Sequence, residues 1–209
     1  MIFESFAVGV LGCNCCILGD ETSREALVVD PGDEAERIIA RLAALELRLV
    51  GILHTHAHID HVGGTLALSR ATHAPTYLHD ADRFLHDMLP VQARMIGLPL
   101  PEHAPMDRPL PDETSIPFGA HEVGVLHTPG HTPGSVCLVI PHAELCLSGD
   151  TLFASGIGRT DLWGGDLGAI ERSIRERLYV LSGSIEVVPG HGPTTHIDIE
   201  RRTNPFVRG

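Results

Sequence analysis

Lysine is absent: all 15 basic residues of this 209-residue chain are arginine. That excludes Schiff-base chemistry and lysine general bases outright. Long apolar runs are missing too. No stretch approaches the about 18 consecutive apolar residues a membrane-spanning helix needs, and Met1-Ile2-Phe3-Glu4-Ser5-Phe6 lacks the basic region and apolar run of a secretory signal. The cytoplasm is therefore the expected location. Positive charge is scarce, with 27 acidic residues against those 15 arginines and a formal charge of −12. So acidic a surface disfavours nucleic acid and anionic membrane as partners and leaves a small molecule as the expected one, with the oligomeric state open. Gly-x-Ser-x-Gly does not occur, and no Ser-His-Asp or Cys-His-Asn set stands out. The five cysteines, Cys13, Cys15, Cys16, Cys137 and Cys146, are odd in number and lie in apolar surroundings. Cys13 and Cys16 have C-x-x-C spacing without a second pair, so buried free thiols are expected. Only 4% of residues are aromatic, but 43% are hydrophobic, enough for a substantial core in one domain spanning residues 1–209.

Histidine, by contrast, is abundant, and its densest run is Leu53-His54-Thr55-His56-Ala57-His58-Ile59-Asp60-His61. Imidazole and carboxylate are the ligands that zinc and its neighbours prefer. The run follows Leu49-Val50-Gly51-Ile52-Leu53, which reads as a buried strand. In extended backbone alternate side chains share a side, so His56 and His58 can converge on one ion. Asp60 and His61 fall at the mouth of the next helix and can face a second. Val62-Gly63-Gly64 then lets the backbone pass close by before a helix from Thr65 to Thr72.

The remaining chain alternates strands and helices. Strands are expected at Ile2–Val10, Cys15–Leu18, Ala26–Val29, Ala74–Leu78, His121–Leu126, Ser135–Ile140, Glu144–Ser148 and Ile185–Val188. Asp33 is expected to cap a helix carrying Ile38, Ile39, Leu42 and Leu45 on one face. A second helix, Asp80 to Leu89, would turn Phe84, Leu85 and Met88 inward. Asp166 would cap a third, from Leu167 to Val180, with Leu167, Ile170, Ile174 and Leu178 inward, and a short helix would close the chain around Ile197 to Arg202. Between them Gly97 to Pro117 is rich in proline and reads as a long surface connection walling a cleft. The pattern predicts an α+β fold: two mostly antiparallel sheets face to face with helices outside, an αββα sandwich.

Thr55-His56-Ala57-His58-Ile59-Asp60-His61 resembles the T-H-x-H-x-D-H signature of the metallo-β-lactamase superfamily. Further motifs follow in the family's order: His127-Thr128-Pro129-Gly130-His131, then Ser148-Gly149-Asp150-Thr151-Leu152-Phe153, then Pro189-Gly190-His191-Gly192. Gly-Asp-Thr-Leu-Phe with a later Gly158-Arg159-Thr160-Asp161 is most similar to the glyoxalase II and persulfide dioxygenase branch. The resemblance implies the same αββα sandwich and two divalent ions, zinc foremost, with iron or manganese as the other choices. His56, His58 and His131 would hold one ion and Asp60, His61 and His191 the other, bridged by Asp150. It implies hydrolysis of a small thiolester, S-acyl glutathione-like, by a metal-bridging hydroxide that Asp60 also orients. Asp30 is either a carboxylate that orients a ligand histidine or a turn-forming residue before Pro31. Arg159 either binds a substrate carboxylate or braces the site by pairing with Asp161. His54 is expected to pack, His127 to belong to a strand end, and His73, His79, His86, His103, His121, His142 and His196 to lie on the surface. The C-terminal helical region that holds glutathione in full-length glyoxalase II, and its Lys and Tyr contacts, have no counterpart in this sequence. Two other readings stay open: a mononuclear iron persulfide dioxygenase and a non-catalytic metal-binding scaffold.

Overall fold

A computed structural model describes residues 1–209. The first half of the chain supplies β1 (Ile2–Val8), β2 (Cys13–Gly19), β3 (Glu25–Val29), β4 (Arg48–Leu53), β5 (Thr76–Leu78) and β6 (Arg108–Pro109), which lie side by side in that order as one sheet. The second half supplies β7 (Ser115–Phe118), β8 (His121–His127), β9 (Val136–Ile140), β10 (Leu145–Gly149), a small hairpin of β11 (Leu152–Phe153) and β12 (Gly156–Ile157), then β13 (Glu186–Pro189) and β14 (Thr195–His196). The second sheet runs β14-β13-β10-β9-β8-β7. Helices α1 (Ala35–Ala44), α2 (Ile59–Val62), α3 (Thr65–Thr72), α4 (Arg83–Asp87) and α5 (Leu89–Ile96) belong to the first half, and α6 (Leu167–Ser173) and α7 (Ile197–Thr203) to the second.

Both sheets are mixed. The first pairs antiparallel across β1-β2-β3 but parallel across β3-β4-β5-β6. The second is antiparallel except where β13 lies parallel to β10. The expectation of mostly antiparallel sheets therefore needs correcting for the first. Wherever a helix intervenes between neighbouring strands the chain crosses over and returns in the same direction, as α1 does between β3 and β4.

The sheets meet through Leu18, Leu27, Val29, Leu53, Phe118, Val125, Leu138 and Leu147, all buried. On its outer face the first sheet packs on Ile38 and Leu42 of α1 and Leu68 of α3, and the second on Ile170 and Ile197. No helix is long and apolar enough to cross a membrane. All five cysteines are free and buried, as composition suggested.

Three helices differ from expectation. Asp33 does not cap α1: the helix begins after Glu34, which sits in the left-handed region at φ 52°, and the Asp33 carboxylate only accepts from the Glu34 N–H. The helix read from Asp80 to Leu89 is a 3-10 turn (Asp80–Asp82) and α4, and Pro90 starts the separate α5 because it cannot donate within a continuing helix. Leu85 is buried there, but Phe84 is exposed. Asp166 does cap α6, accepting from Ala169 N at 2.9 Å. That helix widens into a π turn at Ile174–Leu178, which buries Ile174 and Leu178 while Leu167 faces solvent. The proline-rich 97–117 segment is not all connection, since it contains the edge strand β6 and most of β7.

Candidate metal centre

Strands β3, β4, β10 and β13 all end at one edge of the sandwich, and the polar residues that follow them meet there. Beyond Leu53, His54 turns into the protein, its Nδ1 2.8 Å from the Tyr77 carbonyl and its Nε2 2.8 Å from the Thr65 hydroxyl. It is packed as expected. His56 and His58 point the other way and meet His131 from the loop after β8: His58 Nδ1 lies 2.9 Å from His131 Nε2, and the His56 ring lies 4.8 Å from both. At the start of α2, Asp60 and His61 face His191 from the loop after β13. His191 Nε2 is 3.1 Å from Asp60 Oδ2 and 3.3 Å from His61 Nε2. Asp150, just past β10, stands between the two groups, with Oδ2 3.6 Å from His131 Nε2 and Oδ1 3.5 Å from His61 Nε2. Three overlapping sets, His56–His58–His131, His56–His61–Asp150 and Asp60–His61–His191, each bring their donor atoms within 4.8 Å of one another.

The outer hydrogen bonds fix which ring nitrogens carry protons. The carbonyl of Arg159 can only accept, so His131 holds its proton on Nδ1 (2.7 Å) and turns a bare Nε2 inward. His191 Nδ1 likewise donates to the Leu11 carbonyl at 3.1 Å, which turns its Nε2 inward towards Asp60. Asp30 sets two more. Its Oδ2 accepts from His61 Nδ1 at 3.0 Å and from the Thr55 hydroxyl at 2.6 Å, so that hydroxyl is left to accept from His56 Nδ1 at 3.1 Å. Its Oδ1 holds Thr55 N at 2.8 Å. Asp30 thus holds His61 directly and His56 through the Thr55 hydroxyl. The result is a set of inward-turned donor atoms: the Nε2 atoms of His61 and His191 face each other at 3.3 Å beside the Asp60 carboxylate. His56 Nε2, His58 Nε2 and Asp150 Oδ1 are buried without any hydrogen-bond partner. Orphaned acceptors of this kind are costly unless a cation lies among them.

Electrostatics distinguish the two groups of histidines. Burial, reinforced by the neighbouring imidazoles, holds His56 well below the ordinary histidine range and pushes His58 down to about 3. Burial lowers His131 too. These rings stay neutral, as ligation requires. Burial also works against charge on His61 and His191, but there it is outweighed, by Cys13, Asp150, Asp30 and Asp60 at the first and by Asp60 and Asp150 at the second. This half of the site is the more electronegative one. Imidazole and carboxylate donors of this kind fit hard-to-borderline divalent metal ions.

Residues 8–196 match the Metallo-beta-lactamase superfamily. The chain belongs to that superfamily. Among its relatives, an uncharacterized protein of Mycobacterium leprae is 42% identical over the full length of both chains. The hydroxyacylglutathione hydrolase GloC of Haemophilus influenzae is 37% identical over 99% of this chain and 98% of its own. Among solved structures, the BLEG-1 B3 metallo-beta-lactamase superimposes with a TM-score of 0.92 at 37% identity, covering both chains in full. TTHA1623 in a di-iron-bound form gives 0.89 at 38%, over 98% of this chain and all of its own. ETHE1 from Myxococcus xanthus gives 0.82 at 26%, over 98% and 84%.

In this member of the metallo-beta-lactamase superfamily, several supporting residues carry no local sequence signal. Buried Asp82 accepts from Ala57 N (3.0 Å), Thr132 Oγ1 (2.8 Å) and Gly134 N (2.6 Å), tying the His56–His58 segment to the His131 loop. Gln92 of α5 holds Ile59 N and Ala57 O at 2.9 and 3.1 Å. Asn14 donates to the Pro189 and Gly192 carbonyls, clamping the His191 loop. Two glycines are dictated by contact with Asp150. A Cβ at Gly190 would lie 2.2 Å from its Oδ1, and one at Gly158 only 1.8 Å from its carbonyl oxygen, which explains the glycine of Gly-Arg-Thr-Asp.

The superfamily site opens into a cleft of about 170 Å³ lined by Leu11, Met95, Ile96, Leu162 and Trp163 alongside His58, Asp60, His131 and Asp150. Arg159 also borders it, its guanidinium paired two-fold with Asp161 at 2.7 Å. A second hollow of about 210 Å³ adjoins at Leu11, Ile59 and Asp60 and is walled by Leu98 to Pro101, so the proline-rich segment lines the site only with its first residues. Of the outlying histidines, His127 ends β8 as expected. His86 is a correction: it is buried against the 97–107 segment, ring to ring with His103 at 4.1 Å.

Proposed function

We propose that this metallo-hydrolase superfamily member cleaves a small thiolester, of the S-acyl glutathione kind, as one domain with two divalent ions, zinc foremost. His56, His58 and His131 would hold one ion and Asp60, His61 and His191 the other, with Asp150 shared. Such a pair supplies a water ionised near neutral pH as the attacking group and a Lewis acid for the carbonyl oxygen. Two groups of inward-turned donors meeting at one carboxylate support this reading more than any other feature.

The chain's own residues account for the rest. Asp60 Oδ2, 3.1 Å from His191 Nε2, lies where it can both ligate and hold the attacking oxygen in line by accepting its proton in a hydrogen bond. Gln92 and Asp82 keep the backbone around Ala57 rigid, so the donors need not reorganise during reaction. Neither the cleft nor the adjoining hollow is lined by a serine, cysteine, lysine or tyrosine, and apart from Asp33 their histidines and carboxylates are the ones assigned to the ions, which leaves little to protonate a leaving group. That favours a group that departs unprotonated. A thiolate, with a parent pKa near about 8.5, does so far more readily than an amine. Water adds across the C–S bond, and the products are a carboxylic acid and a thiol.

Purified protein should release thiol from S-lactoylglutathione, and lose that activity with its metal. Oxygen uptake with glutathione persulfide, about one iron per chain and no thiol release would instead establish the dioxygenase chemistry.

A further inference from the structure

The cleft and its neighbouring hollow share Leu11, Ile59 and Asp60, so a substrate whose carbonyl sits beside Asp60 must extend over apolar ground on either side. Around this opening cluster some of the most exposed large hydrophobic side chains of the protein: Val10 at 80%, Met95 at 59%, Leu100 at 58% and Leu11 at 48% of their full surface. Single exposed hydrophobics need no explanation, but several gathered at the mouth of a reactive site do. Charge is as telling as apolarity. The hollow beyond Asp60 carries Asp33 and no cation, and in the cleft the guanidinium of Arg159 is already paired with Asp161. A hydroxylated or anionic group entering the hollow would lose its water and find no donor side chain in return.

We propose that the thiolesters taken by this site carry an unfunctionalised alkyl acyl chain, which lies in the hollow across Val10 and Leu100. The assignment rests on the thiolester reading above and narrows it to a substrate class. The carbonyl stays beside Asp60, the alkyl chain covers Val10, Leu98 and Leu100, and the thiol part leaves through the side of Met95 and Trp163.

The test is a chain-length series on the metal-loaded protein: S-acetyl, S-butyryl and S-hexanoyl N-acetylcysteamine, with S-lactoylglutathione against S-hexanoylglutathione to hold the thiol constant. kcat/KM should rise by about tenfold from acetyl to hexanoyl, the discrimination that a few methylenes give in an apolar site, and S-hexanoylglutathione should exceed S-lactoylglutathione. In Val10→Asp and Leu100→Asp the hexanoyl-to-acetyl ratio should fall towards one, while circular dichroism and metal content match the parent protein. A flat or falling series, or a ratio unchanged in both variants, overturns the proposal while leaving thiolester hydrolysis standing. Release of thiol from none of these esters overturns the thiolester reading itself, and this assignment with it.

Discussion

Asp30 sits in the left-handed region at φ 51°, an uncommon conformation for a residue with a side chain. It is held there by its N–H on the Leu53 carbonyl (3.0 Å) and by Gly32 N on its own carbonyl (2.8 Å). The turn and the orienting role are thus the same fact: the backbone twist before Pro31 aims the carboxylate at Thr55 and His61. In sequence, Asp-Pro-Gly announces only the turn, because the partners lie 25 and 31 positions away. Asp150 makes the sharpest single-residue prediction. Standing between both donor groups, it should not be removable without loosening each, so Asp150→Ala is expected to lower metal content at both sites and leave activity near background. His54→Ala is the contrast. It should retain full metal content but lose about 1–3 kcal/mol of stability, because the Tyr77 carbonyl and Thr65 hydroxyl lose a buried partner. Elemental analysis and urea denaturation on the two variants check both statements, and normal occupancy in the Asp150 variant would sink the bridging assignment.

At the scale of elements, the site depends on loops fastened to one another rather than on any one strand. The 3-10 turn Asp80–Asp82 is the fastener, since Asp82 accepts from backbone or side chain in two separate segments. Burial pushes its carboxyl above the usual carboxylate range in spite of these three donors. Asp82→Ala would leave the N–H groups of Ala57 and Gly134 buried and unpaired, while the Thr132 hydroxyl keeps Ser135 Oγ at 2.7 Å, costing about 2–4 kcal/mol. It should also weaken the first ion, at His56, His58 and His131, by roughly 10- to 100-fold, while Asp60, His61 and His191 keep theirs. Metal retention against a competing chelator separates the two sites, and equal loss from both would refute the fastening role. The local pattern places Asp82 in an ordinary helix start. Its Thr132 and Gly134 partners lie 50 and 52 positions away, beyond the reach of any periodicity argument.

At the scale of the whole molecule, Asp20 joins the two sheets. It lies at the turn after β2, where Oδ1 accepts from Thr22 and Ser23 N (both 2.7 Å) and Oδ2 accepts from Ala120 N (2.8 Å) in the turn between β7 and β8. These backbone donors, that of Ala120 first, hold its carboxyl well below the usual range. A depressed folded-state pKa means that the unfolded chain binds the proton more tightly. The stabilisation is therefore complete above the ordinary aspartate value near about 4 and is lost as the pH falls below it towards the folded value. Asp20→Asn should be less stable than the parent at neutral pH and show a shallower decline in acid. Urea midpoints measured for both proteins from about pH 6 down to about pH 3 decide it, and parallel curves would rule the sheet-joining carboxylate out.

What the amino-acid sequence determined by itself is the chemistry and its order along the chain. Imidazole and carboxylate donors at strand ends, alternation in the strands, the Asp166 cap and the His-x-His spacing are all local features, governed by neighbouring residues and therefore readable one segment at a time. Tertiary structure decided the rest. The parallel course of β3 to β6, the burial of His86 and the clamps made by Asp82, Gln92 and Asn14 each depend on which distant segment comes to lie alongside. The physical reason is that a buried hydrogen bond or a sheet pairing is satisfied by position in space, and the identity of the residue that supplies it is fixed only once the two sheets have closed on one another.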